Sequence, residues 1–291
     1  MAIRRNKIKR TSPADIVFFT ILFVLMAVFA AIFIYELLWM FTGSMRGLKE
    51  FNLSPFKMYD VSFENIKNNY DKAFSIDFNG KTLLDMIGNS AILVLGCTFL
   101  NVSVPAITGY IVAKYNFRLK KWISIFAIIT MVIPTVGSVS ATYKFIFELG
   151  LMDSFWGVFL MAAGGIGFSF MMFKNFFEAI PWEYAEAGFI DGASNLKVFL
   201  TIMLPQARPI IIAIAVVSFI GNWNDYYTPF LYLKNNPTLA VGLNEFKNSR
   251  YSNNWPVQFA AMTVATSVVL LVYVFFNKTI MESMSAGGLK G

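Results

Sequence analysis

Histidine is absent from this 291-residue chain, and cysteine occurs once, as Cys97. The first absence removes His-dependent catalytic triads and most transition-metal sites. The second excludes a disulfide framework and a cysteine-based zinc site. Charge is scarce as well: Asp, Glu, Lys and Arg make up 14% of the residues, against about 25% in a typical soluble domain. Hydrophobic residues account for 57% and aromatic residues for 17%. They come in long blocks, which points to a bilayer as the second solvent.

The net charge of +7 is unevenly placed. Arg4, Arg5, Lys7, Lys9 and Arg10 crowd the N-terminus, and Lys114, Arg118, Lys120 and Lys121 crowd one short loop. Neither run has the aromatic interleaving of a nucleic-acid surface, so nucleic acid is not an expected partner. Basic clusters flanking apolar spans read instead as topological signals on the cytoplasmic side.

The apolar pattern predicts an all-α polytopic membrane protein with six spans, at 16–41, 86–113, 121–147, 155–178, 207–232 and 258–281. Each is long enough to cross about 30 Å of hydrocarbon as a helix, and helices satisfy their own backbone in lipid. The first apolar stretch exceeds the 7–15 residues of a signal-peptide core and no small-x-small cleavage site follows it, so a retained helix is expected. With the N-terminus inside, cytoplasmic segments hold 14 Lys and Arg and external segments 10, which predicts cytoplasmic termini. The chain then divides into a basic N-terminus (1–15), the first span, an external loop (42–85), a core (86–281) with a cytoplasmic loop at 179–206, and a cytoplasmic tail (282–291). Pro105 and Pro134 are expected to kink their spans, and Gly164, Gly165 and Gly167 to allow close helix approach.

The cytoplasmic loop carries the strongest signal. Residues 181–205 read PWEYAEAGFIDGASNLKVFLTIMLP. The pattern is a short amphipathic helix, a reversal at Gly192, and a second helix capped by Ser194 or Asn195 and closed by Pro205. Trp182, Ala185 and Phe189 recur at helical spacing, and Leu196, Phe199, Leu200 and Met203 form an apolar stripe. A helix lying on anionic lipid carries Lys and Arg on its polar face. Here Glu183, Glu186 and Asp191 stand in the first half with no base, which favours a protein partner with a groove.

This segment resembles the coupling loop of ABC importer permeases, whose pattern is Glu-Ala-Ala, three residues, Gly, nine residues, then Ile-x-Leu-Pro. Glu186, Ala187, Gly192, Ile202, Leu204 and Pro205 fall in register, and Gly188 replaces the second Ala. The likeness runs from about residue 86 to the C-terminus and is closest to the carbohydrate-uptake, maltose-permease-like branch. It is carried by Asn89-Ser90, Gly109-Tyr110 and Ala113-Lys114, by the turn from Leu149 to Gly157, and by the end Gly287-Gly288-Leu289-Lys290-Gly291. The resemblance implies the fold of a type I ABC importer permease. Glu186 and Ala187 would lie against an ATP-hydrolysing subunit, and the tail, with Gly288 and Lys290, would reach between two such subunits. It further implies a second permease subunit, an extracytoplasmic solute-binding protein and a bacterial cytoplasmic membrane. ATP and magnesium would be bound by the ATPase subunits and no cofactor by this chain.

A candidate substrate path lies at Asn222, Trp223, Asn224, Asp225 and Tyr227 in the fifth span. An acid inside a span costs on the order of 3 kcal/mol and usually faces protein or water. Amides, an acid and aromatic rings make a suitable sugar surface, since hydroxyls need polar partners and pyranose faces stack on rings. The stretch also resembles the aromatic-Asn-Asp signature of sugar permeases. Two plainer readings compete: Asn224 and Asp225 satisfying backbone broken near Pro229, and Trp223 with the tyrosines as an interfacial belt. Gly80-Lys81-Thr82 lacks the first glycine of a phosphate loop, because position 75 is Ser75. Two alternatives stay open, an ABC permease for a non-sugar solute and an ion-coupled secondary carrier. No nucleophile or acid–base cluster suggests an enzyme.

Overall fold

A computed structural model of the chain describes residues 12–288, save 60, 79, 134, 249 and 250. The first helix, α1 (Pro13–Ser44), starts on a capping box: Ser12 N–H donates to Asp15 Oδ2 at 2.9 Å and Asp15 N–H to Ser12 Oγ at 3.2 Å. Short helices α2 (Leu48–Leu53) and α3 (Phe63–Phe74) follow, and then α4 (Leu83–Lys114), which opens on a second capping box at Thr82 and Asp85. Next come α5 (Lys120–Val132), α6 (Val139–Glu148), α7 (Phe155–Ala163) and α8 (Phe168–Ala179). The loop region holds α9 (Glu183–Ile190), α10 (Asn195–Val198), a π-helical stretch (Phe199–Met203) and α11 (Leu204–Gln206). The chain continues through α12 (Arg208–Asn224), α13 (Tyr227–Tyr232) and α14 (Leu239–Glu245) to α15 (Trp255–Gly288). Among the described residues every regular element is helical, apart from one bridge between Phe78 and Lys81.

Among the described residues, three helices are long and apolar enough by themselves to cross a bilayer: α1, α4 and the Trp255–Lys278 part of α15. Two bent pairs meet the same measure when joined, α7 with α8 at 45° and the Asn195–Gln206 stretch with α12 at 77°. The predicted span 121–147 is divided among α5, a 3-10 turn (Thr135–Ser138) and α6, and the predicted span 207–232 breaks after Asn224 and resumes as α13. Pro105 sits inside an unbroken α4 and is buried there, while Pro134 lies outside the described residues. The break in α7–α8 falls on Gly164–Gly167. A Cβ at Gly164 or Gly165 would make no contact shorter than 3.4 Å and one at Gly167 would meet nothing, so these glycines do not mark the close helix approach expected of them.

Helix α4 is the axis of the core, packed against α7, α8 and α12. One buried cluster, with Tyr110, Phe173, Phe177, Phe199 and Met203, joins its C-terminal half to α8 and the loop region. Another, with Leu93, Cys97, Ile146, Val158 and Tyr232, joins its N-terminal half to α6, α7 and α13. The stretch predicted as an external loop is a helical cap seated on α15 and built around Arg46, which is fully buried. Its guanidinium donates to the carbonyls of Ser54 (3.0 Å), Lys57 (2.7 Å) and Glu50 (2.8 Å). Asn69, also buried, donates to Ser44 O at 2.9 Å and Arg46 O at 2.8 Å and ties α3 to the end of α1.

Candidate coupling segment and substrate cleft

The reversal at 188–194 is built by the residues whose spacing singled it out. Gly192 has φ +79°, the left-handed region that L side chains resist. Its N–H donates to Phe189 O and that of Ala193 to Gly188 O, both at 3.0 Å, which is the paired bonding of a Schellman helix end. Ser194 then caps the next helix by accepting from Lys197 N–H at 3.4 Å. Ala185 and Gly188 are buried on the inner face of α9, and a Cβ added to Gly188 would stand 2.6 Å from Ile202 Cδ1. The one departure from the Glu-Ala-Ala pattern is thus matched to the isoleucine fourteen residues on. Glycine here lets α9 lie close against the returning helix; it is a packing feature before it is a weak point in the helix.

The outer face of α9 is exposed at Glu183, Tyr184, Glu186, Ala187 and Ile190, the last to 85%. Asp191 and Gly192 continue it, while Ile202 and Leu204 are half-buried and Pro205 is exposed. The stripe expected at Leu196, Phe199, Leu200 and Met203 divides: Phe199 and Met203 are buried, and Leu196 and Leu200 face outward. Leu196 and Leu200 share one edge of the stripe and Phe199 and Met203 the other, each pair four residues apart, and only the second edge packs inward. The π-helical stretch begins at Phe199. The sharp bend into α12 falls at Ala207, between Pro205 and Pro209. The end of α4 clamps both halves of the segment. Lys114 Nζ donates to Ile180 O, Tyr115 OH to Asn195 Oδ1 at 3.1 Å, and the Tyr115 ring meets Trp182 edge-on at 6.0 Å.

About 20 Å back along α4 from this clamp, an open cleft of about 520 Å³ lies between α4, α6, α7, α12 and α13. Its polar lining is Asn101, Ser138, Thr142, Asn222, Asp225, Tyr227 and Thr228, set among Leu93, Val158 and Met161. Ser218 Oγ accepts from Asn101 Nδ2 at 2.9 Å and from Asn222 Nδ2 at 3.2 Å, which pins α4 to α12 beside the cleft. Asp225 stands at the break between α12 and α13, where its Oδ1 accepts from Thr228 N–H at 3.1 Å. Next to cleft-lining Tyr232, whose carbonyl accepts from Asp153 N–H at 2.8 Å, the carboxylate of Asp153 (φ +58°) accepts from both Asn235 N–H (3.0 Å) and Nδ2 (3.2 Å).

Of the five residues predicted for a substrate path, Asn222, Asp225 and Tyr227 line the cleft. Trp223 does not: it is 7% exposed, donates from Nε1 to Ala265 O at 3.1 Å and stacks on Phe219. Asn224 bonds back to Ile220 O at 2.9 Å on an exposed face. Helical phase separates them, since consecutive residues point about 100° apart. Asn101, Ser138 and Thr142 escaped the sequence reading because other hydroxyl residues (Thr98, Ser103, Thr135, Ser140) stand beside them and the sequence does not mark which ones face a cleft; an amide inside a span was the available signal at Asn101. In the tail, Gly288 ends α15 and Lys290 lies outside the described residues.

Residues 106–285, more than half the chain, match the family described as binding-protein-dependent transport system inner membrane component. The chain belongs to this family. The match takes in the clamp, α9, the reversal and α12, and the chain is a membrane-spanning permease subunit of such a system. Relatives include the maltodextrin transport system permease protein MdxG of Bacillus subtilis, 29% identical over 75% of this chain and 84% of that protein. The diacetylchitobiose uptake system permease protein NgcG of Streptomyces coelicolor is 28% identical over 96% of this chain and 91% of that protein. The trehalose/maltose transport system permease protein MalG of Thermococcus litoralis is 27% identical over 93% and 97%. The fold is that of a chain in the crystal structure of a bacterial ABC transporter importing the acidic polysaccharide alginate. The TM-score is 0.74 at 20% identity, over 92% of this chain and 98% of that one.

Proposed function

We propose that this permease moves a sugar or oligosaccharide across the cytoplasmic membrane as one of two permease subunits of an ABC importer, driven by separate ATPase subunits. The observation that carries the reading is the cleft at Asp225 and its mechanical link to α9. Amide, hydroxyl, carboxylate and phenol groups converge in it, the inventory that polyhydroxylated solutes require. The relatives named for maltodextrin, diacetylchitobiose and trehalose/maltose support the carbohydrate class. With both termini cytoplasmic, as the Lys and Arg distribution favours, α9 faces the cytoplasm and its acidic face with Ile190 at the tip docks in the ATPase groove. Movement of α9 reaches the cleft because Asn101 and Lys114 lie on one unbroken helix, α4, and Tyr115 follows it directly. A solute-binding protein delivers the substrate from outside.

Reconstitution with the partner subunits tests this directly. Asp225→Asn keeps an oxygen for Thr228 N–H but removes the charge, and losing a charge-assisted bond of about 1.5–3 kcal/mol predicts roughly 10- to 100-fold slower uptake of a maltodextrin at low concentration. Unchanged uptake by both Asp225→Asn and Asn101→Leu overturns the cleft as the path. A crosslink from Ala187→Cys to the ATPase is expected, and its absence in an active complex overturns the docking assignment. Uptake that persists without ATP but follows an ion gradient identifies a secondary carrier instead.

A further inference from the structure

Segment 53–59, between α2 and α3, makes no regular structure beyond Leu53, yet its carbonyls are not left to water. Ser54 O and Lys57 O accept from Arg46, Pro55 O accepts from Trp39 Nε1 at 2.6 Å, and Phe56 O accepts from Tyr35 OH at 3.4 Å. Four consecutive carbonyls are thus each satisfied by a side chain of the same protein. That is the condition for irregular backbone at membrane depth, and a loop in water has no need of it.

The depth of these contacts can be read along α1. Between Asp15 and Glu36 the helix has a run of 20 residues without charge, 16–35, all of them exposed. Such a run measures about 30 Å, the thickness of the hydrocarbon. Tyr35 therefore marks the boundary and Trp39 lies about 6 Å above it, within the headgroup layer. Because the loop folds back onto Tyr35 and Trp39, it shares their level. The side chains it turns outward are Leu53 (84% exposed), Phe56 (72%) and Tyr59, with Lys57 Nζ 4.8 Å above the Tyr59 ring. Apolar and aromatic groups with a lysine beside them are the composition of a membrane-interface anchor.

We infer that segment 53–59 is a lipid anchor seated in the headgroup interface at the C-terminal end of α1, the outer leaflet in the orientation proposed above. Arg46 folds it into place, and Leu53 and Phe56 meet the acyl-chain boundary. The anchor fixes the helical cap relative to the bilayer. Its occupant is phospholipid because the apolar surface is continuous with the exposed side of α1 and lies at the level where that helix leaves the hydrocarbon.

Spin-label accessibility in the assembled transporter tests this, with every other cysteine removed and the complex reconstituted in phosphatidylcholine–phosphatidylglycerol vesicles. Labels at Leu53→Cys and Phe56→Cys should collide more with oxygen than with nickel–EDDA, toward the ratio of a mid-bilayer label at Leu25→Cys and away from an aqueous label at Lys67→Cys. A ratio matching the Lys67→Cys label would place the loop in water and overturn the anchor. Shielding from both reagents would mean that a protein, the second permease or the binding protein, covers the loop, and would overturn it equally. Arg46→Gln should shift the Phe56→Cys label toward the aqueous ratio, and an unshifted label would overturn the clamp. If that variant fails to fold, the labels beside an intact Arg46 still decide the location. None of these outcomes depends on which solute is carried.

Discussion

Gly188 and Ile202 offer a quantitative test of how the reversal after α9 is packed. Adding a methyl at Gly188 puts a carbon 2.6 Å from Ile202 Cδ1 and 3.1 Å from Val198 Cγ2, where ordinary contact begins near 3.4 Å. Overpacking of this kind costs about 1–3 kcal/mol, offset by about 1 kcal/mol of helix propensity gained on replacing glycine by alanine. Gly188→Ala alone should therefore destabilise the reversal by roughly 0–2 kcal/mol. Ile202→Val alone removes Cδ1 and costs about 0.5–1.5 kcal/mol. In the double variant the new methyl fills the space that Cδ1 vacates, so the two losses should cancel in part, with a favourable coupling of about 1–2 kcal/mol. Hydrogen exchange of the Gly192 and Ala193 amides, whose bonds close the reversal, reads the opening free energy in each of the four proteins. Costs that add to within about 0.5 kcal/mol would refute the contact.

Three further outcomes are expected. At Gly192 nothing lies within 4 Å of a new Cβ, so the cost there is backbone alone; Gly192→Ala should weaken the reversal by about 1–2 kcal/mol, Gly192→Asn by less and Gly192→Val by more, and equal effects in amide exchange would refute this. Trp223→Phe removes the bond to Ala265 and keeps the stack on Phe219, so about 1 kcal/mol of stability is lost in a thermal-shift assay while the half-saturating substrate concentration stays unchanged; a shift in that concentration would return Trp223 to the substrate path. Tyr115→Phe keeps the ring against Trp182 but loses the bond to Asn195, which should cost about 0.5–1.5 kcal/mol and lower transport per ATP hydrolysed; unchanged coupling would show that this clamp does not transmit motion.

The membrane class and the three long helices were legible in the sequence because they follow from local composition. A run of about 20 apolar residues closes its own hydrogen bonds, so α1, α4 and the apolar part of α15 need no tertiary information. The reversal at Gly192 was legible for a similar reason. A left-handed residue, a serine cap and their spacing are all contained within seven consecutive positions. The cleft was legible only in part, since Asn222 and Asp225 announce themselves as polar groups in an apolar span but their facing differs from that of Trp223 and Asn224.

What tertiary structure alone decided depends on residues far apart in the chain. Ser218 receives Asn101 from 117 positions away, and Asp153 receives Asn235 from 82 away. No periodicity records such pairs, because each hydrogen bond is set by where the fold brings two distant segments together. The same holds for the cap. Six basic and six acidic residues between 42 and 85 read as a solvated loop, yet Arg46 is buried on carbonyls at Glu50, Ser54 and Lys57. Charge counts measure what a segment can offer to water. Only the fold determines which of those groups are withdrawn from it to hold the backbone in place.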